Sequence, residues 1–153
     1  MKTEMQVLEK LKQVITDQLA LHYQEDGGKA DLQPITEHNV SIDFPDIDNM
    51  RKDTMFYIEP DYENLEPFSM SSDLATMTAT LFIITKGAKH ETLIRRVFGY
   101  FTALYSLFGN NRSLDGFIES VRITDMDYYP AVTAGTTMTA IETSIELQWS
   151  KEY

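Results

Sequence analysis

Residues 137–149, TMTAIETSIELQW, decide the fold of this chain because their side chains alternate between apolar and polar. The apolar set is Ile141, Ile145, Leu147 and Trp149, the polar set is Glu142, Ser144, Glu146 and Gln148, and Thr143 is the one exception on the apolar side. Alternation sustained over this length predicts a half-buried antiparallel strand. At about 3.3 Å per residue the strand is about 43 Å long, whereas a compact chain of this length is about 40 Å across. We therefore expect it to bend or to overhang its domain and offer unpaired backbone groups to a neighbour.

The other elements are predicted from spacing and from turn residues. Apolar side chains three and four residues apart predict helices at 3–23 and 89–108, and the first of them opens on a capping box at Thr3 and ends in a turn at 26–29. Alternation and threonine content predict strands at 39–44, 54–59, 74–85 and 117–126. Pro45 and Pro60 are expected to end strands and to leave irregular loops at 45–53 and 60–72, and a turn built on 127–130 and Gly135 leads into the last strand.

The element order, α-β-β-β-α-β-β, predicts an α+β fold in a single domain spanning 1–153. Each element has one apolar side to bury, so the economical architecture is a mainly antiparallel sheet with two α-helices packed on one face. A chain of 153 residues is long enough to bury such a core.

Composition narrows the classes of function. The net charge of −11 argues against tight binding of nucleic acid, because it repels the phosphate backbone. An acidic wall nevertheless suits a channel through which DNA slides. The chain has no cysteine, which excludes disulfides, thiolate nucleophiles and cysteine-based zinc sites and fits synthesis in a reducing cytoplasm. Glu and Lys interrupt the first residues regularly, so we expect neither a signal peptide nor a membrane-spanning segment.

Patterns that could indicate metal sites are incomplete. His90 and Glu91 begin like a zinc-protease helix, but the second histidine is missing. A helix-loop-helix calcium loop starting at Asp46 would need a glycine and a glutamate where the chain has Arg51 and Tyr57. The carboxylates of Asp43, Asp46 and Asp48 leave open a looser oxygen-ligand site, against the simpler interpretation of a solvated turn.

Two carboxylates two residues apart, Asp125 and Asp127, are predicted to share one strand face. Such a pair can raise the pKa of one member for acid–base chemistry, but no nucleophile or oxyanion donor accompanies it in the sequence. We therefore expect no catalytic residue, no cofactor and no metal ligand. Tyr128 and Tyr129 cannot both face one core, so at least one is expected to be exposed or to pack on a neighbour.

The element order, the two long threonine-containing strands, the segment 127–130 and the closing alternation to Trp149 together resemble the tail terminator, or tail completion, proteins of long-tailed phages and prophages. Members of that family carry helices packed on a mainly antiparallel sheet and form a ring, typically of six copies, that caps the tail tube and joins it to the head. The resemblance implies a homo-oligomeric structural protein of the virion tail, made in the host cytoplasm, with tail-tube and head–tail connector proteins as partners. It implies no specific binding of nucleic acid, passage of DNA through the lumen, no membrane and no enzyme activity.

Carried onto this sequence, the resemblance assigns roles to three sets of residues. It places the strands 74–85 and 137–149 near subunit contacts, with Thr76, Thr78, Thr80, Tyr128, Tyr129 and Trp149 as candidates. It places Glu142 and Glu146 on the lumen wall. It directs the loops 45–53 and 60–72 toward the tail tube, with Asp61, Tyr62, Glu63, Glu66 and Phe68 as candidate contacts. Another tail-tube or head–tail connector component remains the alternative, followed by a small ligand-binding domain or enzyme.

Overall fold

The computed structural model describes residues 1–24, 30–133 and 136–153, without the side chains of 131–133 and 136. Helix α1 (Glu4–Gln18) begins with the predicted capping box, in which the Gln6 backbone N–H donates to the Thr3 hydroxyl oxygen and the Thr3 backbone N–H donates to the Gln6 side chain. A short 3₁₀ helix, Leu19–His22, follows. The predicted turn at 26–29 lies outside the described residues.

One five-stranded sheet forms the body of the protein. Its strands are β1 (Val40–Ser41), β2 (Thr54–Ser69), β3 (Ser72–Gly87), β4 (Ser120–Thr133) and β5 (Thr136–Glu152). They lie in the order β1-β2-β3-β5-β4, and every neighbouring pair is antiparallel except the short parallel contact between β1 and β2. Helix α2 (His90–Asn110) connects β3 to β4.

Both helices contribute to one apolar core against one face of the sheet. Fully buried side chains of α1, such as Leu11, and of α2, such as Leu104, belong to the same cluster as Leu81 of β3 and Ile145 of β5. The predicted α+β architecture is therefore confirmed. No helix in the described ranges 1–24, 30–133 and 136–153 is long and apolar enough to cross a membrane.

Strand β5 confirms the predicted alternation and extends it at both ends. Ile141, Ile145, Leu147 and Trp149 are all 0% exposed. Thr143 shares their side, where its hydroxyl donates to the Asp125 carbonyl at 2.6 Å, so the exception in the pattern is satisfied. The predicted overhang is wrong, because β3 pairs with β5 from Ser72 to Gly87 and β4 covers most of its other side. The sheet as a whole is as long as this strand.

The loop predicted at 60–72 is also wrong. Strand β2 continues through Pro60 to Ser69 and pairs with β3 as one long hairpin. The register shifts between Pro60 and Tyr62, and again between Pro67 and Ser69. A proline is tolerated at a bulge or on an edge strand because its missing N–H interrupts no ladder bond there. On the other flank, β1 pairs with β2 only through Val40 and Ser41, which makes it shorter than the predicted strand at 39–44.

Strand β4 corrects the predicted turn at 127–130. The strand begins at Ser120 and runs through Tyr128, Tyr129 and Pro130 to Thr133, each paired with β5. Pro130 is accommodated because β4 is the last strand of the sheet. Gly135, which completed the predicted turn, lies outside the described residues.

The second face of the sheet is covered at one end only. The predicted loop 45–53 lies there, with one short 3₁₀ helix, Ile47–Asn49. Ile47 and Met50 pack against a small cluster of buried side chains from three strands, Met55, Tyr57, Ile84, Met138 and Ala140. Lys86 donates to the Ile47 carbonyl and fastens this segment. The remainder of the second face carries mostly polar side chains, with Leu74 as an exception.

Candidate assembly surface

The uncovered part of the second sheet face, here called the open face, collects side chains that point away from both helices. In register, Thr78 of β3 lies beside Glu146 of β5, which lies beside Arg122 of β4. Their neighbours Met77 and Leu147 are buried on the helix side, as the period of two requires. The register places these residues on the open face: Glu59, Tyr62, Asn64, Glu66, Leu74, Thr76, Thr78, Thr80, Ser120, Arg122, Asp125, Asp127, Tyr129, Glu142, Ser144, Glu146 and Gln148.

Carboxylates dominate the charge of the open face. The register places these carboxylates on it: Glu59, Glu66, Asp125, Asp127, Glu142 and Glu146. Asp61 is a further one, because the Thr80 hydroxyl donates to its carboxylate at 2.8 Å. The guanidinium of Arg122 pairs with Glu146 at 3.1 Å with its own side chain 68% exposed. An ion pair this exposed contributes little to stability and leaves the face with an excess of negative charge.

Tyr129 lies in the negative electrostatic field of the open face. The carboxylates of Glu142 and, next, Asp127 raise the pKa of its hydroxyl above the ordinary value, since nearby negative charge disfavours the phenolate. Tyr129 is 48% exposed. The effect therefore arises from charge on the open face more than from burial.

A groove of about 430 Å³ crosses β2, β3 and β5 on the open face and is lined in part by Tyr62, Glu66, Thr76, Thr78, Glu146 and Gln148. The Gln148 side-chain amide donates to the Thr76 hydroxyl at 3.1 Å across the strands. The structure thus brings together residues from all three predicted sets, the subunit contacts, the lumen wall and the tail-tube contacts. Sequence reasoning treated these sets as separate surfaces.

Two of the remaining candidate contacts, Tyr128 and Trp149, lie on the helix side of the sheet. Tyr128 is partly buried on the helix side and stacks on Phe98 with ring centroids 5.4 Å apart, whereas Tyr129 is exposed, so the expectation that the two tyrosines separate is confirmed. Trp149 is 0% exposed, and its indole has no surface through which to contact another subunit. Strands β3 and β5, which carry the candidate threonines and glutamates, are central in the sheet, so their backbone edges are paired within the chain and a subunit contact through their side chains stays a prediction.

Sequence reasoning missed the part of the β2–β3 hairpin next to its turn. We call this part, residues 61–72, the arm. Its large apolar side chains are exposed: Tyr62 65%, Leu65 49%, Phe68 57% and Met70 102%. Apolar residues are not segregated to one side of it, so the period of two is hidden. The signal that could have revealed the arm is the length of β3, since a strand predicted to run from residue 74 needs a partner along its whole length.

Besides its pairing with β3, the arm is joined to the body by a charged cluster. Glu63 lies on the helix side, where Lys151 donates to its carboxylate at 3.0 Å and also to the carboxylate of Glu4. These bonds raise the pKa of Lys151, and the bond from Lys151 is the main cause that lowers the pKa of Glu4. The cluster joins β5, β2 and the first turn of α1.

The edges of the sheet lie on opposite sides of the molecule. Beyond its short contact with β1, the outer edge of β2 has no strand beside it among the described residues, and the same holds for β4. At one point the edge of β4 is covered, because the Val121 backbone N–H donates to the Arg112 carbonyl at 2.7 Å. Open edges of this kind are sites at which another chain can add.

The residues considered for chemistry do not assemble into a centre. Within the ranges that the structure describes, no three His, Asp or Glu side chains are placed to hold a metal ion. Glu91 pairs with Arg95 one turn along α2 at 3.2 Å. Asp125 and Asp127 share one strand face as predicted, and Asp125 accepts a bond from the Ser144 backbone N–H at 3.3 Å.

Comparison with known proteins identifies no family for this chain. No family model matches the chain, and no curated protein matches it. Among solved structures, a chain of the "Virion of native gene transfer agent (GTA) particle" matches with a TM-score of 0.41 and 10% identity over 93% of this chain and 97% of that one. A likeness this weak shows neither a family nor a function.

Proposed function

We propose that this protein is a structural subunit of a phage or prophage tail, of the tail-terminator kind, which forms a ring that caps the tail tube and joins it to the head. The observation that carries the proposal is the open face, a broad acidic surface on a sheet whose other face is covered by helices. A wall with one packed side and one polar, negative side suits a subunit that encloses a channel.

The charge of the open face fits the passage of DNA. A lumen through which a duplex slides must not bind its phosphates, and Glu142 and Glu146 repel them. The net charge of −11 per chain acts in the same direction. A surface that gripped DNA would instead present Lys and Arg, each of which contributes to salt-dependent affinity.

The sheet edges suit a closed assembly of copies. Because β2 and β4 lie at opposite edges, one copy can present β4 to the β2 side of the next, which is a heterologous contact that forms rings when its rotation closes. The strands β2, β3, β5 and β4 alternate in direction, so copies that point the same way bring β4 and the next β2 together antiparallel. Six copies are expected from the family resemblance.

A tail-tube subunit or another head–tail connector component is the second candidate. The same two edges favour it, since a heterologous contact that does not close produces an open helical filament. Purified protein that polymerises without limit would support this candidate. A discrete oligomer would support the ring.

The proposal is tested by adding purified protein to tubes assembled from the cognate tail-tube protein. Mass measurement in solution should give either a closed oligomer or a monomer that associates with tubes, and electron microscopy should show density at tube ends. Protein that neither binds nor caps the tubes would refute the proposal.

Charge reversal tests the role of the open face. The double variant Glu142→Lys and Glu146→Lys changes the net charge from −11 to −7, because each substitution adds two. Glu9→Lys with Glu37→Lys makes the same change beside α1 and serves as the matched control. Particles with the first variant should assemble but deliver DNA poorly, and the control should behave as wild type. Equal DNA delivery by both variants would contradict a lumen role for the open face.

A further inference from the structure

The exposed apolar residues of the arm call for a partner. Leu65 is 49% exposed although it pairs with Ala75, whose side chain is buried in the main core. It therefore lies on the helix side of the sheet, while Glu66, the next residue, lies on the open face. The arm presents an apolar side chain on one side and a carboxylate on the other.

A cleft of complementary character lies at the opposite edge of the molecule, between the second half of α2 and β4. It measures about 250 Å³ and is lined by Tyr105, Phe108, Arg112, Val121 and Ile123, together with Gly109 and Arg122. This volume is below that of most small-molecule sites and suits one or two side chains. Tyr105 is 65% exposed, whereas Phe108 and Val121 form a buried floor.

The start of the arm and the cleft lie at the same level along the strands of the sheet. Tyr62 pairs with Thr78, Thr78 with Glu146, and Glu146 with Arg122. One row of the sheet therefore begins at the arm and ends beside the cleft. Identical copies placed side by side, with strands pointing the same way, bring Tyr62 of one copy level with Arg122 of another, and a shift of two residues along the strands brings Leu65 level with Val121 in the cleft.

The arm and the cleft also match in the side of the sheet on which their groups lie and in their charge. The cleft opens on the helix side, as Leu65 does, and its floor is apolar. Arg122 faces the open side, as Glu66 does, and Arg112 is exposed near the cleft. In a chain of net charge −11, Arg112 beside an apolar cleft favours an acidic and apolar occupant, whereas Arg122 is already paired with Glu146.

We propose that the arm of one copy docks into the cleft between α2 and β4 of the next copy and forms the repeating contact of the assembly. This inference rests on the proposed ring-forming function and names its subunit contact. Side chains carry the contact, because the Arg112 carbonyl already occupies the N–H of Val121 at that edge. The family resemblance assigned the arm to the tail tube, and the test below separates these occupants.

Disulfide mapping tests the contact directly, because the chain has no cysteine. Leu65→Cys and Tyr105→Cys are prepared separately, and both positions are exposed, so each variant should unfold at the wild-type temperature. Under oxidation, the mixture should give about tenfold more disulfide-linked dimer than either variant alone, since docking raises the effective concentration of the two thiols. Leu21→Cys, at a position 81% exposed on the 3₁₀ helix after α1, replaces either partner as the matched control and should not cross-link.

The outcomes separate the possible occupants. Dimer formed by Leu65→Cys alone would show an arm-to-arm contact and overturn the proposal, as would a mixture that cross-links no better than the control. Maleimide labelling of Leu65→Cys should be slowed whenever the copies assemble, in solution or on tubes, and slowing on tubes without cross-linking to Tyr105→Cys would assign the arm to the tube and also overturn the proposal. Cross-linking without capping of tubes would uphold this contact and refute the proposed function. Capping without cross-linking would do the reverse.

Discussion

Replacing Thr139 with valine is expected to lower the free energy of unfolding by about 1–3 kcal/mol, the cost of a buried hydroxyl left without its partner. Thr85 and Thr139 are both 0% exposed, and their hydroxyl oxygens are 2.7 Å apart. Thr139 donates to the Leu93 carbonyl at 3.2 Å, so its proton is committed and Thr85 must be the donor between the two hydroxyls. The pair joins β3 and β5 to the first turn of α2.

The direction of these bonds makes the two single variants unequal. Thr85→Val removes a donor but leaves Thr139 bonded to Leu93, so it should cost about 1 kcal/mol. Thr139→Val leaves the Thr85 hydroxyl buried and unpaired, so it should cost more. The double variant should lie within about 1 kcal/mol of wild type, because two apolar groups of the same shape replace a bonded pair.

Urea unfolding monitored by circular dichroism measures all four proteins, provided that the denaturant slope is unchanged. A double variant whose cost equals the sum of the single costs would refute the reasoning. Equal effects of the two single variants would refute the assigned direction of the bond.

Two further predictions concern other parts of the fold. Lys151→Met should cost about 1–2 kcal/mol at pH 7, because it removes a charged bond from Glu63, which is 19% exposed. The bond from Lys151 lowers the pKa of Glu4 below its ordinary 4.5, so the share of the stability that comes from Glu4 is present above pH 4.5 and is lost as the pH falls through the folded pKa. The difference in urea midpoint between wild type and variant should therefore narrow there, and a constant difference would contradict the assignment. Gly116 has a φ of +80° and no atom near an added Cβ, so Gly116→Ala should lower the free energy of unfolding by about 1 kcal/mol through backbone strain alone. Gly109 is equally open but lies near the end of α2, so Gly109→Ala should raise the free energy of unfolding by about 0.5 kcal/mol. Thermal melts that shift both variants in one direction would show that backbone conformation is not the cause.

The parts of the fold that could be predicted from sequence are those where one side of an element is buried and the other is not. Strand β5 and helix α2 each present their apolar side chains at a single period, so burial imposed a readable pattern on them. The capping box at Thr3 was equally readable, because its bonds depend on residues three positions apart.

The errors arose where the physical reason for a residue depends on its neighbours in space. Pro60 and Pro130 were interpreted as strand breakers, but one lies at a bulge and the other on an edge strand, where the absent N–H costs no pairing. The β2 strand of the arm carries exposed residues on both of its sides, such as Tyr62 and Leu65, so nothing in its sequence required alternation.

The candidate surface was predictable in composition but not in arrangement. The alternation of β5 identified Glu142 and Glu146 as polar neighbours on one face. That Thr78, Glu146 and Arg122 form one row depends on the strand order β3-β5-β4, which the linear sequence does not contain. The cleft beside α2 was not predicted at all, because it forms where a helix and an edge strand meet.

The central claim, that the acidic open face lines the lumen of a tail ring, is tested most directly by electron cryomicroscopy of tail tubes capped with this protein. We expect a closed ring at the tube end, with Glu142 and Glu146 directed into the channel and α1 and α2 on the outside. A ring whose channel is lined by the helices would contradict it.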